Sequence, residues 1–231
     1  MAFGAVPFVD GMEKLVDDDY YRQSVQNGIV KQGIESLPCA LDSREYHTSP
    51  CLRFYRSDYL QEIGVRFGEG IIHEDEEFSF LTYLYAARVE CSGDRLYQRR
   101  YRPGSTMTSK TCQASAHGYL VTIDGLLDVY QLKPHSEQEK GLLERYINRL
   151  IYAVGKQYET ALRHNPGSAF AIKKDARNTL KRARELLTLS KTARLTTHSL
   201  FLGCLIFETY KRVRRAFVRE EDSRALEKPH P

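Results

Sequence analysis

A helix-rich α+β fold is what this sequence predicts, with a few strands near the start and a helical region after them. Three observations lead there. An eight-residue apolar segment, Ala2 to Val9, opens the chain. Apolar residues recur at three and four residues over Leu142, Tyr146, Leu150, Val154 and Tyr158. The charge is also divided: residues 1–94 hold 8 Lys and Arg against 17 Asp and Glu, whereas residues 95–231 hold 26 against 13.

The elements follow in order. Ala2 to Val9 reads as a strand, and Pro7, which lacks an amide donor, puts it near an edge or an end. Asp17-Asp18-Asp19 reads as a solvated turn or helix start, and Gly28 and Gly33 punctuate the path to Leu37. Between Ser49 and Leu60, positions 52, 55, 59 and 60 fall on one face of a predicted helix. After the glycine-rich stretch Gly64 to Gly70, Phe78, Leu81 and Tyr85 predict a helix starting near Asp75. Arg88 to Ser92 and Arg95 to Arg100, separated by Gly93-Asp94, predict two strands joined by a tight turn, and 102–108 a loop. From Ala114 onward the pattern is helical. One helix ends at Asn165-Pro166-Gly167, a second covers about 168–190 and a third about 197–219. The polar end, 220–231, predicts a frayed tail.

Composition narrows the classes of function. Hydrophobic residues make up 42% and charged residues 28% of the 231, which excludes a wholly disordered or collagen-like chain. No apolar run reaches the roughly 18 residues of a membrane span, and Met1 to Asp10 has no basic start or cleavage-like site, so a cytoplasmic protein is expected. Five cysteines, scattered and without a C-x-x-C pair, argue for reduced thiols and against a zinc site or disulfide framework. The basic second half is compatible with an anionic partner, but it contains no helix-turn-helix, zinc or aromatic-basic sheet motif. Nucleic acid is therefore not the expected partner.

The sharpest local signal is Gly68-Glu-Gly-Ile-Ile-His-Glu-Asp-Glu-Glu-Phe78. Four consecutive carboxylates repel one another, which favours a raised pKa on at least one and suits it to accept a proton. Acidic residues also suit the positive end of a helix dipole, so a purely structural acidic first turn is the alternative. Upstream stands Leu52-Arg-Phe-Tyr-Arg-Ser-Asp-Tyr-Leu60, and downstream Leu96-Tyr-Gln-Arg-Arg-Tyr-Arg-Pro-Gly-Ser-Thr-Met107.

In that order, across about residues 25–110, these segments resemble the C-terminal half of family 2 glycosyltransferases. These are the inverting GT-A-type enzymes of bacterial polysaccharide biosynthesis. The resemblance implies that Asp75 is the general base toward an acceptor sugar hydroxyl and that Glu74 orients the acceptor. His73 is implied beside them, as a substrate contact or as a neighbour that orients the turn. Arg99, Arg100 and Arg102, beside Ser105, are implied where a loop closes on the donor diphosphate, the alternative being a solvated hairpin edge.

The same resemblance implies a partial GT-A-like, acceptor-side catalytic region over 1–112, while periodicity, charge and polarity predict a basic helical region over 113–219 and a flexible tail over 220–231. The resemblance also implies a nucleotide-sugar donor, a glycan acceptor and a divalent metal, Mn or Mg. The family's nucleotide-binding half and its Asp-x-Asp metal motif are not found in this sequence, so no metal ligand is identifiable. The chain therefore reads as a truncated remnant, as one half of a split enzyme whose donor site a second chain completes, or as a mis-started reading frame. A rival expectation is a non-catalytic binding module. Leu200, Phe201, Leu205, Phe207 and Tyr210, followed by Lys211 to Arg215, could form a basic amphipathic helix that meets a partner or the inner membrane face.

Overall fold

The computed structural model describes residues 1–9, 21, 29–43, 45–101 and 112–203. Asp17 to Asp19, the 102–108 loop, the stretch from 204 to 219 and the 220–231 tail lie outside the described residues. The described chain is a helix-rich α+β fold in which a small mixed sheet precedes a helical region.

Strand β1 (Ala2–Val9) has the bounds its composition predicts, and it lies at one edge of the sheet order β1-β3-β2. The short β2 (Val30–Lys31) pairs antiparallel with β3 (Val89–Tyr101), while β1 runs parallel to β3, from Ala2 opposite Cys91 to Val9 opposite Tyr101.

Residues 88–100 do not form a hairpin; they lie in the single strand β3 apart from Arg88. The Gly93-Asp94 signal marks an irregularity instead. Where β1 advances from Ala2 to Gly4, β3 advances from Cys91 to Arg95, so it carries extra residues there. Asp94 holds them locally: its amide donates to Ser92 Oγ, whose hydroxyl donates to Asp94 Oδ2.

The helix predicted over 49–60 is also revised. A 3₁₀ turn, Pro50–Leu52, is followed by extended chain, because Arg53 bridges to Ala2 and the Phe54 amide donates to the Met1 carbonyl. Pairing with β1 takes precedence over helical spacing. The helix proper is α2 (Ser57–Ile63), ended by Gly64 at φ 66°.

Helix α1 (Gly33–Asp42) packs on α3 (Asp75–Leu84), whose start agrees with the predicted one. Helices α4 (Cys112–Leu132), α5 (Glu137–His164) and α6 (Pro166–Leu186) pack on one another. Asn165 ends α5 and caps α6 by accepting from the Ser168 amide, with Pro166 at the first helical position.

The predicted third helix begins earlier and is broken. Ser190 caps α7 (Lys191–His198), and Ser199, in extended backbone, caps the next helical turn by accepting from the Leu202 amide. One apolar core runs from Leu37 through Phe80 and Leu84 into α4, α5 and α6, so the acidic turn rests on the helical region. Among the described residues, no helix is long and apolar enough to cross a membrane.

Candidate functional site

The acidic segment enters α3 through a tight turn. Gly70 and His73 both sit at φ 71°, a left-handed conformation that is ordinary for glycine and uncommon for histidine. Helix α4 forms its floor. Gly118 lies so close to the turn that a Cβ there would stand 1.8 Å from the Ile72 carbonyl oxygen. The next residue, Tyr119, stacks on the His73 ring with centroids 4.0 Å apart and planes at 11°.

Successive residues of a helix point about 100° apart, and this separates the carboxylates chemically. Glu74 is exposed and Asp75 half-buried. Glu76 is buried, its carboxyl accepting a hydrogen bond from the Tyr146 hydroxyl of α5. Glu77 turns to α4, where a Cβ on Gly125 would fall 2.4 Å from its Oε2.

Burial raises the pKa of all three carboxyls from Asp75 to Glu77. For Asp75, the neighbouring Glu74 adds to the rise, while the Thr48 hydroxyl and the Arg53 guanidinium oppose it. Burial pushes the Glu76 carboxyl up to about 7 despite the Tyr146 hydrogen bond and the Arg149 charge. For Glu77, Asp128 reinforces the effect of burial. The His73 imidazole is pushed below its ordinary range by burial, Glu74 opposing, and its Nε2 is buried without a hydrogen-bond partner.

Around Asp75 the wall is aromatic and cationic. Arg53 donates to the His47 carbonyl, and its guanidinium lies 5.3 and 5.6 Å from the ring centroids of Tyr46 and Tyr83. Tyr46 is edge-on to Tyr146, so the Arg53 layer continues into the layer that buries Glu76. Arg53 also lines a pocket of about 510 Å³ between the start of β1, α2 and the start of β3, together with Tyr55, Tyr59, Tyr83 and Glu90. Asp75 is not in the lining; Arg53 is the residue common to its electrostatic environment and to the pocket.

His73, Glu74 and Asp75 are thus together in one turn. Arg99 is on β3 opposite Pro7, its guanidinium 5.9 Å from the ring centroids of both Tyr21 and Tyr101, and none of its described contacts reaches the acidic turn. Arg100 is exposed on the same strand. Arg102 and Ser105 lie outside the described residues. Among the described residues, no three His, Cys, Asp or Glu side chains converge to hold a metal ion.

Sequence reasoning missed Thr48, Arg53, Tyr146 and Arg149 as parts of this site. Arg53 stood inside a quoted motif, but a helical reading of 49–60 hides its extended backbone. Tyr146 carried only the signal of a core position. Compared with known proteins, the chain matches no family model, no curated protein and no solved structure.

Proposed function

We propose that this chain is the acceptor side of an inverting, family 2-type glycosyltransferase of polysaccharide biosynthesis, with Asp75 as its general base. One observation carries the reading. Within the ordered motifs, Asp75 is the one carboxylate of the acidic turn that is half-buried, raised in pKa and placed in the field of Arg53. A carboxylate so raised is a better proton acceptor than an ordinary surface aspartate and stays reachable, unlike Glu76.

In this reading, Asp75 takes the proton of an acceptor sugar hydroxyl as its oxygen bonds to the donor's anomeric carbon. The bond from that carbon to the nucleoside diphosphate breaks on the opposite face, and the diphosphate leaves with the electron pair. Exposed Glu74 accepts hydrogen bonds from the acceptor, and neutral His73 offers a further polar contact. Arg99, Arg102 and Ser105 are assigned to the donor diphosphate. A second chain supplies the nucleotide-binding half and holds any divalent metal. The setting is cytoplasmic, with peripheral contact at the inner membrane face, a nucleotide-sugar and a glycan as substrates, and no nucleic acid.

The test is the thermal midpoint of the folded chain with uridine diphosphate, with and without manganese, followed by transfer assays on Asp75→Asn. Transfer that is measured with the donor-binding half present and abolished in Asp75→Asn at unchanged midpoint supports the reading, whereas a nucleotide-dependent rise in the midpoint of the lone chain would show that it holds a donor site of its own. Transfer that survives the substitution rejects the base. A folded chain that binds neither nucleotide nor glycan favours the non-catalytic binding module.

A further inference from the structure

We infer that the solvent face shared by α6 and α7 is a docking surface for an anionic lipid bilayer. On α6, Phe170, Lys174, Arg177 and Lys181 follow one another at four, three and four residues, so they form one stripe about 16 Å long. Lys173 flanks it, and Phe170 is 74% exposed. On α7, Lys191, Arg194 and His198 are exposed at spacings of three and four, again one face. Arg184 joins the two helices, its Nη1 lying 3.3 Å from His198 Nδ1.

The surface is nearly free of opposing charge. Helix α7 contains no acidic residue, and Glu185 on α6 is engaged by Lys181 at 3.9 Å. Asp175 is rotated about 140° from Phe170, off the stripe. Among the described residues, Lys173, Lys174, Arg177, Lys191 and Arg194 form no salt bridge, so their charge is available to a partner.

Charge complementarity requires an anionic partner, and the apolar residues favour a bilayer over a nucleic acid. Exposed apolar side chains accompany the cations, Phe170 within the α6 stripe and Phe201, 58% exposed, just after α7 in the chain. A surface-lying protein puts rings at the headgroup boundary and cations against the phosphates. Single-strand binders instead interleave aromatic platforms with cations along a groove. This face gives the proposed membrane contact a location; it rests on that reading only for which membrane is met and does not require sugar transfer.

The experiment is sedimentation of the full chain with phosphatidylcholine vesicles, with and without phosphatidylglycerol as about a third of the lipid. Binding is expected only with the anionic lipid and is expected to weaken as salt rises. The triple variant Lys173→Gln, Lys174→Gln, Arg177→Gln, all at exposed positions, should bind roughly tenfold more weakly or worse. Lys191→Gln with Arg194→Gln should weaken binding in the same direction. Undiminished binding by these folded variants overturns the proposal, as does equal binding to neutral vesicles. So does binding to a single-stranded oligonucleotide with none to vesicles. Asp75→Asn should bind vesicles like the parent, so failure of the transfer reading and failure of this one are separable.

Discussion

The Tyr146 hydroxyl of α5 donates a hydrogen bond to the buried carboxyl of Glu76 on α3, joining the helical region to the middle of the acidic turn. The same phenol ring stacks on Phe80, one helical turn further along α3, with centroids 4.0 Å apart and planes at 7°. Tyr146→Phe retains the stacking and removes the donor. Because the stranded carboxyl is buried, the loss should be about 1–3 kcal/mol in denaturant unfolding, more than a typical exposed hydrogen bond.

Stability should fall with rising pH on account of Glu76. Its folded-state pKa, about 7, lies above the ordinary 4.5, so the folded chain holds a proton that the unfolded chain releases. The contribution is fully present below about pH 4.5 and is lost as pH rises through about 7, on the order of 3 kcal/mol. Asp75 and Glu77, also raised by burial, slope the same way. Glu76→Gln removes the Glu76 titration while offering Tyr146 an amide oxygen. Unfolding free energies measured from pH 4 to 8 should therefore change less with pH in the variant; an unchanged slope would assign it elsewhere.

Gly118→Ala should destabilise the chain by about 1–3 kcal/mol. The added methyl meets the backbone at Ile72, not a side chain able to rotate away. Any relief must move the turn that carries His73 to Asp75, so an assay of glycan transfer should lose rate along with the midpoint.

His73 tests two opposing effects at one position. Its φ of 71° is costly for a branched side chain, and its ring stacks on Tyr119. His73→Gly relieves the backbone and loses the stacking, whereas His73→Val loses the stacking and increases the strain. The valine variant should be less stable than the glycine variant by about 1–3 kcal/mol. Equal midpoints would show that the turn relaxes.

What the sequence revealed and what it hid divide along a physical line. The bounds of β1, the start of α3 and the stop at Asn165 were legible because each rests on local chemistry: a short apolar run, an acidic first turn, an Asn-Pro-Gly breaker. Gly93-Asp94 misled because a turn signal and a bulge signal use the same residues, and only the partner strand decides between them. Arg53 misled for a related reason, since its extended backbone is imposed by Ala2, some fifty residues earlier.

The candidate site was legible to the same extent. The run from His73 to Asp75 stood out as a sequence. The different environments of Asp75, Glu76 and Glu77 depend on Thr48 and Arg53 on one side and on α4 and α5 on the others, and no local pattern carries that information.

The parallel pairing of β1 with β3 also dictates an order of events during synthesis. Ala2 emerges well before Cys91 and meets it only after the intervening chain has been made. A contact of such long sequence separation has a large closure entropy and forms slowly compared with the helix-to-helix contacts of α4 to α6. While it waits, the apolar Ala2–Val9 segment is an unpaired strand open to association with other chains. The residues of β1 are therefore made well before most of their native neighbours, and yield in the cell should respond to chaperone supply more than to the intrinsic stability of the helices.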